Sequence, residues 1–265
     1  MTTPVVITRP HGPYAGAKHL QDALHAQGFS TFHLPVLVCE RCKISDDDRA
    51  VVANLLAGHA AQWLVFLSPT AAAVFRDLLI AELNVNALPA SVRIAVQGVG
   101  SHEMVRECFG READFVPSAY VAEQFAEEFC AHVSRDAEVL VGQSSEGRDV
   151  FARTLAARGY RVATVQTYTT KPITPSLDEI GHFLSLCQGS DLFLLFMSPS
   201  AVNATVSALT GSKDALRNSR IISVGPITSQ AIKKHGLEVA AEATEHSEAG
   251  IVRALCQLSS KSYRE

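Results

Sequence analysis

The sequence predicts an α/β protein built as two similar flavodoxin-like lobes, each a doubly wound parallel sheet, joined by two extended linkers and descended from an internal duplication. Three observations lead there. Short apolar runs alternate with amphipathic stretches along the chain, the alternation occurs twice over, and the two copies align at nearly one offset. Trp63-Leu64-Val65-Phe66-Leu67-Ser68-Pro69-Thr70-Ala71 returns as Leu192-Phe193-Leu194-Leu195-Phe196-Met197-Ser198-Pro199-Ser200-Ala201, a shift of 198 − 68 = 130. Arg93-Ile94-Ala95-Val96-Gln97-Gly98 returns as Arg220-Ile221-Ile222-Ser223-Val224-Gly225 at 127, Gly28-Phe29 as Gly159-Tyr160 at 131, and Val5 onward as Val139 onward at 134. Four matches in one order indicate duplication where no single match would.

The elements follow in order. In the first copy, strands are expected near 4–8, 30–35, 63–67, 92–97 and 113–116, with helices near 13–27, 47–58, 69–82, 101–109 and 121–132. In the second, strands are expected near 138–142, 161–166, 191–197, 220–224 and 237–241, with helices near 147–158, 176–187, 199–209, 227–235 and 247–258. Leu20 and Leu24 make a helical stripe that ends at Gly28. Ser68-Pro69 and Ser198-Pro199 each supply an N-cap serine followed by proline at the first helical position. The strands are unbroken apolar runs, as expected where helices cover both faces of a parallel sheet with right-handed crossovers.

Two segments break the rhythm at equivalent places. Leu34-Pro35-Val36-Leu37-Val38 follows the second strand of copy one, and Thr167-Tyr168-Thr169-Thr170-Lys171-Pro172 follows the second strand of copy two. Both look extended and carry proline, and they read as interlobe linkers near 36–39 and 167–172. If both cross, each lobe takes its first two strands from one copy and its last three from the other. The pattern of residues is equally compatible with two contiguous lobes.

Composition bounds the function. The chain has 265 residues, 47% apolar and 19% charged, with a net charge of −4 and no Lys/Arg-dense run. Binding to nucleic acid through phosphate neutralisation is disfavoured, while a small anion can still be held by helix N-termini and a few cations. No apolar run approaches the ~20 residues of a membrane span, and the N-terminus lacks a signal-peptide pattern. Six scattered cysteines are expected as thiols in a reducing cytoplasm.

Ligands of doubly wound sheets bind beyond the C-terminal strand ends, at helix N-termini. That rule selects Thr8-Arg9-Pro10, Ser68-Pro69-Thr70, Gly98-Val99-Gly100-Ser101, Gly142-Gln143-Ser144-Ser145, Ser198-Pro199-Ser200 and Gly225-Pro226-Ile227-Thr228-Ser229. Such turns suit carboxylates or phosphates, although each can equally serve only to cap its helix, and the expected site is a cleft between the lobes. Gly98-Val99-Gly100 looks like the start of a dinucleotide fingerprint, but Glu103 stands at its third glycine position. Cys39-Glu40-Arg41-Cys42 has no second pair, the histidines are dispersed, and no serine triad is coherent, so neither metal nor cofactor is expected. Tyr168, in a proposed linker, carries a phenol able to donate a proton to a leaving group.

This ordered set resembles the uroporphyrinogen-III synthase family. The matching pieces are the Thr8-Arg9-Pro10 opening, both Ser-Pro turns, Glu146-Gly147-Arg148-Asp149, Val165 through Thr169, and Val224-Gly225-Pro226-Ile227-Thr228-Ser229 with Gly236-Leu237 beyond. They run in family order from residue 5 to about 255. The resemblance implies an exchanged arrangement, with residues 1–36 and 171–265 in one lobe and 39–168 in the other. It implies the linear tetrapyrrole hydroxymethylbilane as substrate, which loses its terminal hydroxyl and closes through a spiro intermediate with ring D inverted, without metal or organic cofactor. It assigns Tyr168 to hydroxide loss. Arg9, Ser68, Thr70, Gly100, Ser101, Ser144, Arg148, Ser198, Ser200, Thr228 and Ser229 are then the expected binders of substrate carboxylates. Many relatives carry an arginine in the turn before the Glu-Gly-Gly-Arg-Asp motif, where this chain has Gln143-Ser144-Ser145. Arg148 has carboxylates nearby in sequence, Glu146 and Asp149, as competing partners. The resemblance also implies a monomer, in at most transient contact with the preceding deaminase. The rival reading is a non-enzymatic two-lobed small-ligand-binding module.

Overall fold

A computed structural model describes residues 3–14, 17–57, 62–119, 121–189 and 191–262. Residues 15–16 of the first expected helix and residue 58 of the second lie outside the described residues. In chain order the elements are β1 (Pro4–Ile7), α1 (Ala17–Ala26), β2 (Ser30–His33), β3 (Leu37–Arg41), α2 (Asp46–Leu56), β4 (Gln62–Phe66), α3 (Pro69–Leu83), β5 (Arg93–Val96), α4 (Val99–Phe109) and α5 (Ala122–His132). They continue as β6 (Glu138–Ser144), α6 (Val150–Ala157), β7 (Arg161–Pro172), α7 (Leu177–Cys187), β8 (Phe193–Phe196), α8 (Pro199–Ala208), α9 (Lys213–Arg217), β9 (Arg220–Ser223), α10 (Pro226–Lys234), β10 (Ala241–Glu242) and α11 (Glu248–Ser262). The chain divides into two compact units, one of Met1–Cys39 with Lys171–Glu265 and one of Glu40–Thr170.

The discontinuous unit holds a five-stranded sheet in the order β2-β1-β8-β9-β10. Its pairs are parallel, with Val5 beside both Thr31 and Phe193, and Phe193 beside Arg220. Side chains alternate across a strand, so one run feeds two cores. Leu194 and Phe196 of β8 pack with Leu34, Phe183 and Ile232 on one face. Phe193 and Leu195 pack with Leu20, Leu24 and Leu255 on the other. This two-sided burial is why the sequence shows no polar alternation.

The contiguous unit holds the order β3-β7-β6-β4-β5. Val65 and Val141 face a cluster of Phe125, Phe129 and Phe151, in which the Phe125 and Phe151 rings lie 4.4 Å apart. Aromatic pairs of this kind contribute about 0.5–1.5 kcal/mol beyond their buried area. On the other face Phe66 packs edge-on to Phe75 at 5.6 Å. Both sheets thus take their second and first strands from one copy and their third and fourth from the other, the exchanged form of the flavodoxin order.

Three expectations are corrected. The strand expected at 113–116 is reduced to a single bridge between Ala95 and Phe115, with Pro117 closing off further pairing. The strand expected at 237–241 is a two-residue element, Ala241–Glu242, paired with Ile222 and Ser223. The linker expected at 167–172 is the end of a longer strand: β7 runs unbroken from Arg161 to Pro172, and the chain passes from one unit to the other within it, between Thr170 and Lys171. Its partner is β3, through Cys42 N–H to the Thr167 carbonyl at 2.9 Å and Ile173 N–H to the Val36 carbonyl at 2.9 Å. One index rises as the other falls, so this edge pair is antiparallel, unlike the rest of the sheet. The short α9 was not expected.

Candidate active site

In each sheet the strand order reverses at one place, and turns at the C-terminal ends of the two strands flanking a reversal are where ligands gather. In the contiguous unit the reversal falls between β6 and β4, flanked by the Ser144 and Ser68 turns. In the discontinuous unit it falls between β1 and β8, flanked by Thr8-Arg9 and Ser198.

In the contiguous unit, Ser68 caps α3, its Oγ accepting the Ala71 N–H at 3.1 Å, and the same oxygen lies 3.0 Å from the Tyr168 hydroxyl. Tyr168 is buried, 8% exposed, so its phenol is held by packing as well as by this bond. The register of β6 against β7 slips between Gln143 and Ser144, setting Ser144 opposite Tyr168. Ser145 N–H donates to the Tyr168 carbonyl at 2.8 Å, and the Thr167 hydroxyl donates to the Gln143 carbonyl at 3.2 Å. Gly100 abuts the Ser68 turn: a Cβ there would sit 3.4 Å from Pro69 Cγ. The N-termini of α3 and α4 are thereby side by side, two positive dipole ends beside the phenol. Thr70 lies half-buried in the first turn of α3, and Ser101 is buried.

Several expected anion binders have internal partners. The Ser144 hydroxyl donates to Glu146 at 2.7 Å, as does Ser145 at 2.7 Å. The Thr169 hydroxyl donates to the same carboxylate, and Thr170 N–H reaches it at 3.0 Å. Burial opposes ionisation of Glu146, but the bonds from Thr169, Ser145, Ser144 and Thr170 outweigh it and bring its pKa down from 4.5 to about 2. Arg148 stands 3.5 Å from Glu123 and is exposed; the partner is not the Asp149 or Glu146 of its own motif.

In the discontinuous unit, Arg9 pairs with Glu248, and its carbonyl is 2.8 Å from His33 Nε2. The Thr8 hydroxyl donates to the Leu195 carbonyl at 2.7 Å. Ser198 caps α8 through Ala201 N–H at 3.2 Å, with Ser200 Oγ 3.4 Å away. Thr228 is buried. Ser229 has internal partners as well: its hydroxyl donates to Glu242 and lies 2.6 Å from Ser223 Oγ.

A cavity of about 480 Å³ also exists between α2 and the starts of β6 and β7, lined by Asn54, Gln62, Glu138 and Arg161 among others. It lies at the N-terminal strand ends, opposite Tyr168 and the capping serines, where this sheet type does not bind ligands. No cysteine is in a disulfide. Among the described residues no group of three or more His, Cys, Asp or Glu is placed to hold a metal, and no helix is long and apolar enough to cross a membrane.

Comparison with known proteins gives concordant results. Residues 18–253 match the profile of the family described as Uroporphyrinogen-III synthase HemD. The chain is 28% identical over 239 residues to the chloroplastic uroporphyrinogen-III synthase of rice, spanning 88% of this chain and 73% of that protein. It is 24% identical over 235 residues to a putative uroporphyrinogen-III synthase of Methanocaldococcus jannaschii, spanning 88% and 90%. Its fold matches the crystal structure of the Helicobacter pylori enzyme at a TM-score of 0.58 and 15% identity, covering 97% of this chain and 100% of that one. It matches a Thermus thermophilus uroporphyrinogen III synthase at 0.56 and 14%, covering 98% and 100%.

Proposed function

From the chain's membership of the uroporphyrinogen-III synthase family, we propose that it converts hydroxymethylbilane to uroporphyrinogen III with Tyr168 as the proton donor to the departing hydroxyl. The rival reading, a ligand-binding module without catalysis, gives way to the family match. The observation that carries the assignment of Tyr168 is the 3.0 Å contact between its hydroxyl and Ser68 Oγ, at the strand ends and beside two helix N-termini. The serine oxygen accepts an N–H and so orients the phenol.

The reaction is a dehydrating cyclisation, a lyase step. Protonation of the leaving hydroxyl by the phenol generates the azafulvene. Ring D attacks through its substituted carbon, and fragmentation with reclosure inverts that ring. The substrate closes unaided to the wrong isomer, so the protein's contribution is mainly to hold one folded conformation. The helix N-termini behind Ser68, Gly98 and Ser198, with Thr70, Ser200 and Thr228, are the groups we assign to the substrate's carboxylates. Ser144 and Ser229 are set aside, since Glu146 and Glu242 hold them. We take the protein to act as a cytoplasmic monomer, receiving its reactive substrate from the deaminase by transient contact.

The test is an isomer assay. Freshly generated hydroxymethylbilane is supplied to the purified protein, and the oxidised porphyrins are separated. Type III with the protein against type I without it is the expected result. Type I from folded protein overturns the activity. Tyr168→Phe should retain type III formation at a rate lowered about 10²–10⁴-fold, the range of general acid catalysis; an unchanged rate removes Tyr168 from the chemistry.

A further inference from the structure

The turn after β6, an expected binder of external anions, directs its donors to a carboxylate of its own, the exposed Glu146. Both oxygens of Glu146 are engaged. One receives the Ser144 hydroxyl and Thr170 N–H, the other the Ser145 and Thr169 hydroxyls. A carboxylate has about four lone-pair sites, and these donors fill them. Two come from the β6–α6 turn and two from β7, on residues 169 and 170. The residue before them is Tyr168, whose carbonyl is held by Ser145 N–H from the same turn. The slip between Gln143 and Ser144 lies at this point of the β6–β7 pair.

We propose that Glu146 is a positioning residue for Tyr168: its carboxylate staples the β6–α6 turn to β7, fixing the irregular strand end that presents the phenol to Ser68. The proposal rests on the reading of Tyr168 as donor, and it gives the Glu146-Gly147-Arg148-Asp149 motif a role apart from substrate binding. Bonds to an ionised acceptor are roughly twice as strong as neutral ones. A hydroxyl can reverse its role if the acceptor changes, but Thr170 N–H cannot. An amide in place of the carboxylate therefore keeps the shape of the staple and loses its charge and part of its acceptor capacity. The freed strand end lets the phenol depart from the geometry set by Ser68, and misplacement of about 1 Å is enough to cost of the order of 10²-fold in rate.

The experiment is a cycle of Glu146→Gln and Tyr168→Phe in the full chain, with steady-state kinetics of type III formation. It is joined to ¹⁹F spectra of protein labelled with 3-fluorotyrosine. The Tyr168 resonance is the one missing in Tyr168→Phe. The expected result is a kcat lowered about 10–100-fold by Glu146→Gln with KM nearly unchanged, no further loss in the Tyr168→Phe background, and a displaced Tyr168 resonance. Equal losses in both backgrounds mean general destabilisation and overturn the proposal, as does an unmoved resonance. If Tyr168→Phe is itself fully active, the donor reading has failed on its own account, and the resonance alone decides whether Glu146 positions the ring.

Discussion

Glu146 carries a prediction for stability as well as for catalysis. Its folded pKa, about 2, lies below its ordinary 4.5. A depressed carboxylate stabilises the fold above the ordinary value and loses that contribution as pH falls toward the folded one. The Tm of wild type should therefore exceed that of Glu146→Gln near neutrality, with the gap closing as pH falls from 4.5 to about 2. A gap independent of pH would mean that ionisation of Glu146 does not contribute. Gly250 makes a second prediction. It lies in the first turn of α11, where alanine would ordinarily favour a helix by about 1 kcal/mol. A Cβ there would sit 2.1 Å from the Glu245 carbonyl oxygen, a backbone atom that cannot swing aside. Gly250→Ala should lower stability by about 1–3 kcal/mol, as overpacking does, read as a fall in denaturation midpoint. At this scale the sequence was an uneven guide. Ser68 and Tyr168 were legible because a Ser-Pro cap and a tyrosine in an extended break are local signals. The engagement of Ser229 by Glu242 and of Arg9 by Glu248 was not, since each carboxylate arrives from a different strand or helix and leaves no mark beside its partner.

The two Ser-Pro turns offer a comparison between elements. Both serines cap their helices, at 3.1 Å for Ser68 and 3.2 Å for Ser198. Loss of a serine cap typically costs about 1 kcal/mol, so Ser68→Ala and Ser198→Ala should lower stability alike. Ser68 alone of the pair also touches a phenol. At the 131-residue offset of Gly28 and Gly159, the counterpart of Tyr168 is Leu37, an apolar residue. Ser68→Ala should therefore lower kcat in a way that disappears in the Tyr168→Phe background; a loss that persists there would detach Ser68 from the phenol. Most helices and central strands were legible from caps and apolar runs. The elements that escaped are those defined by remote partners or by their brevity. Residues 167–172 carry proline and read as a linker, but hydrogen bonds to β3 make them strand. Lys213–Arg217 is too short to show a helical period.

For the whole molecule, the duplication was legible, whereas the exchange of strands between copies was compatible with the residues without being required by them. Which copy of β1 pairs with which copy of β8 depends on contacts far apart in sequence. The arrangement makes an asymmetric prediction. Residues 40–170 contain β4, β5, β6 and nearly all of β7, with the aromatic cluster around Phe129. Expressed alone, they should unfold in one cooperative thermal transition. Residues 1–39 alone should show no such transition, because β1 and β2 lack β8. A non-cooperative 40–170 fragment would mean that this unit depends on the rest of the chain.

The strand exchange also sets a timetable for synthesis. Thr8 must find Leu195, 187 residues further along, and at about 5–20 residues per second a ribosome needs roughly 10–40 s to bridge them. Throughout that interval the contiguous unit can emerge and close, while Val5, Val6 and Ile7 have β2 on one side and still lack β8 on the other. A nascent chain of this design holds β1 without its central neighbour β8 until residue 195 is translated, so one edge of an apolar strand stays open to other pairing for that time.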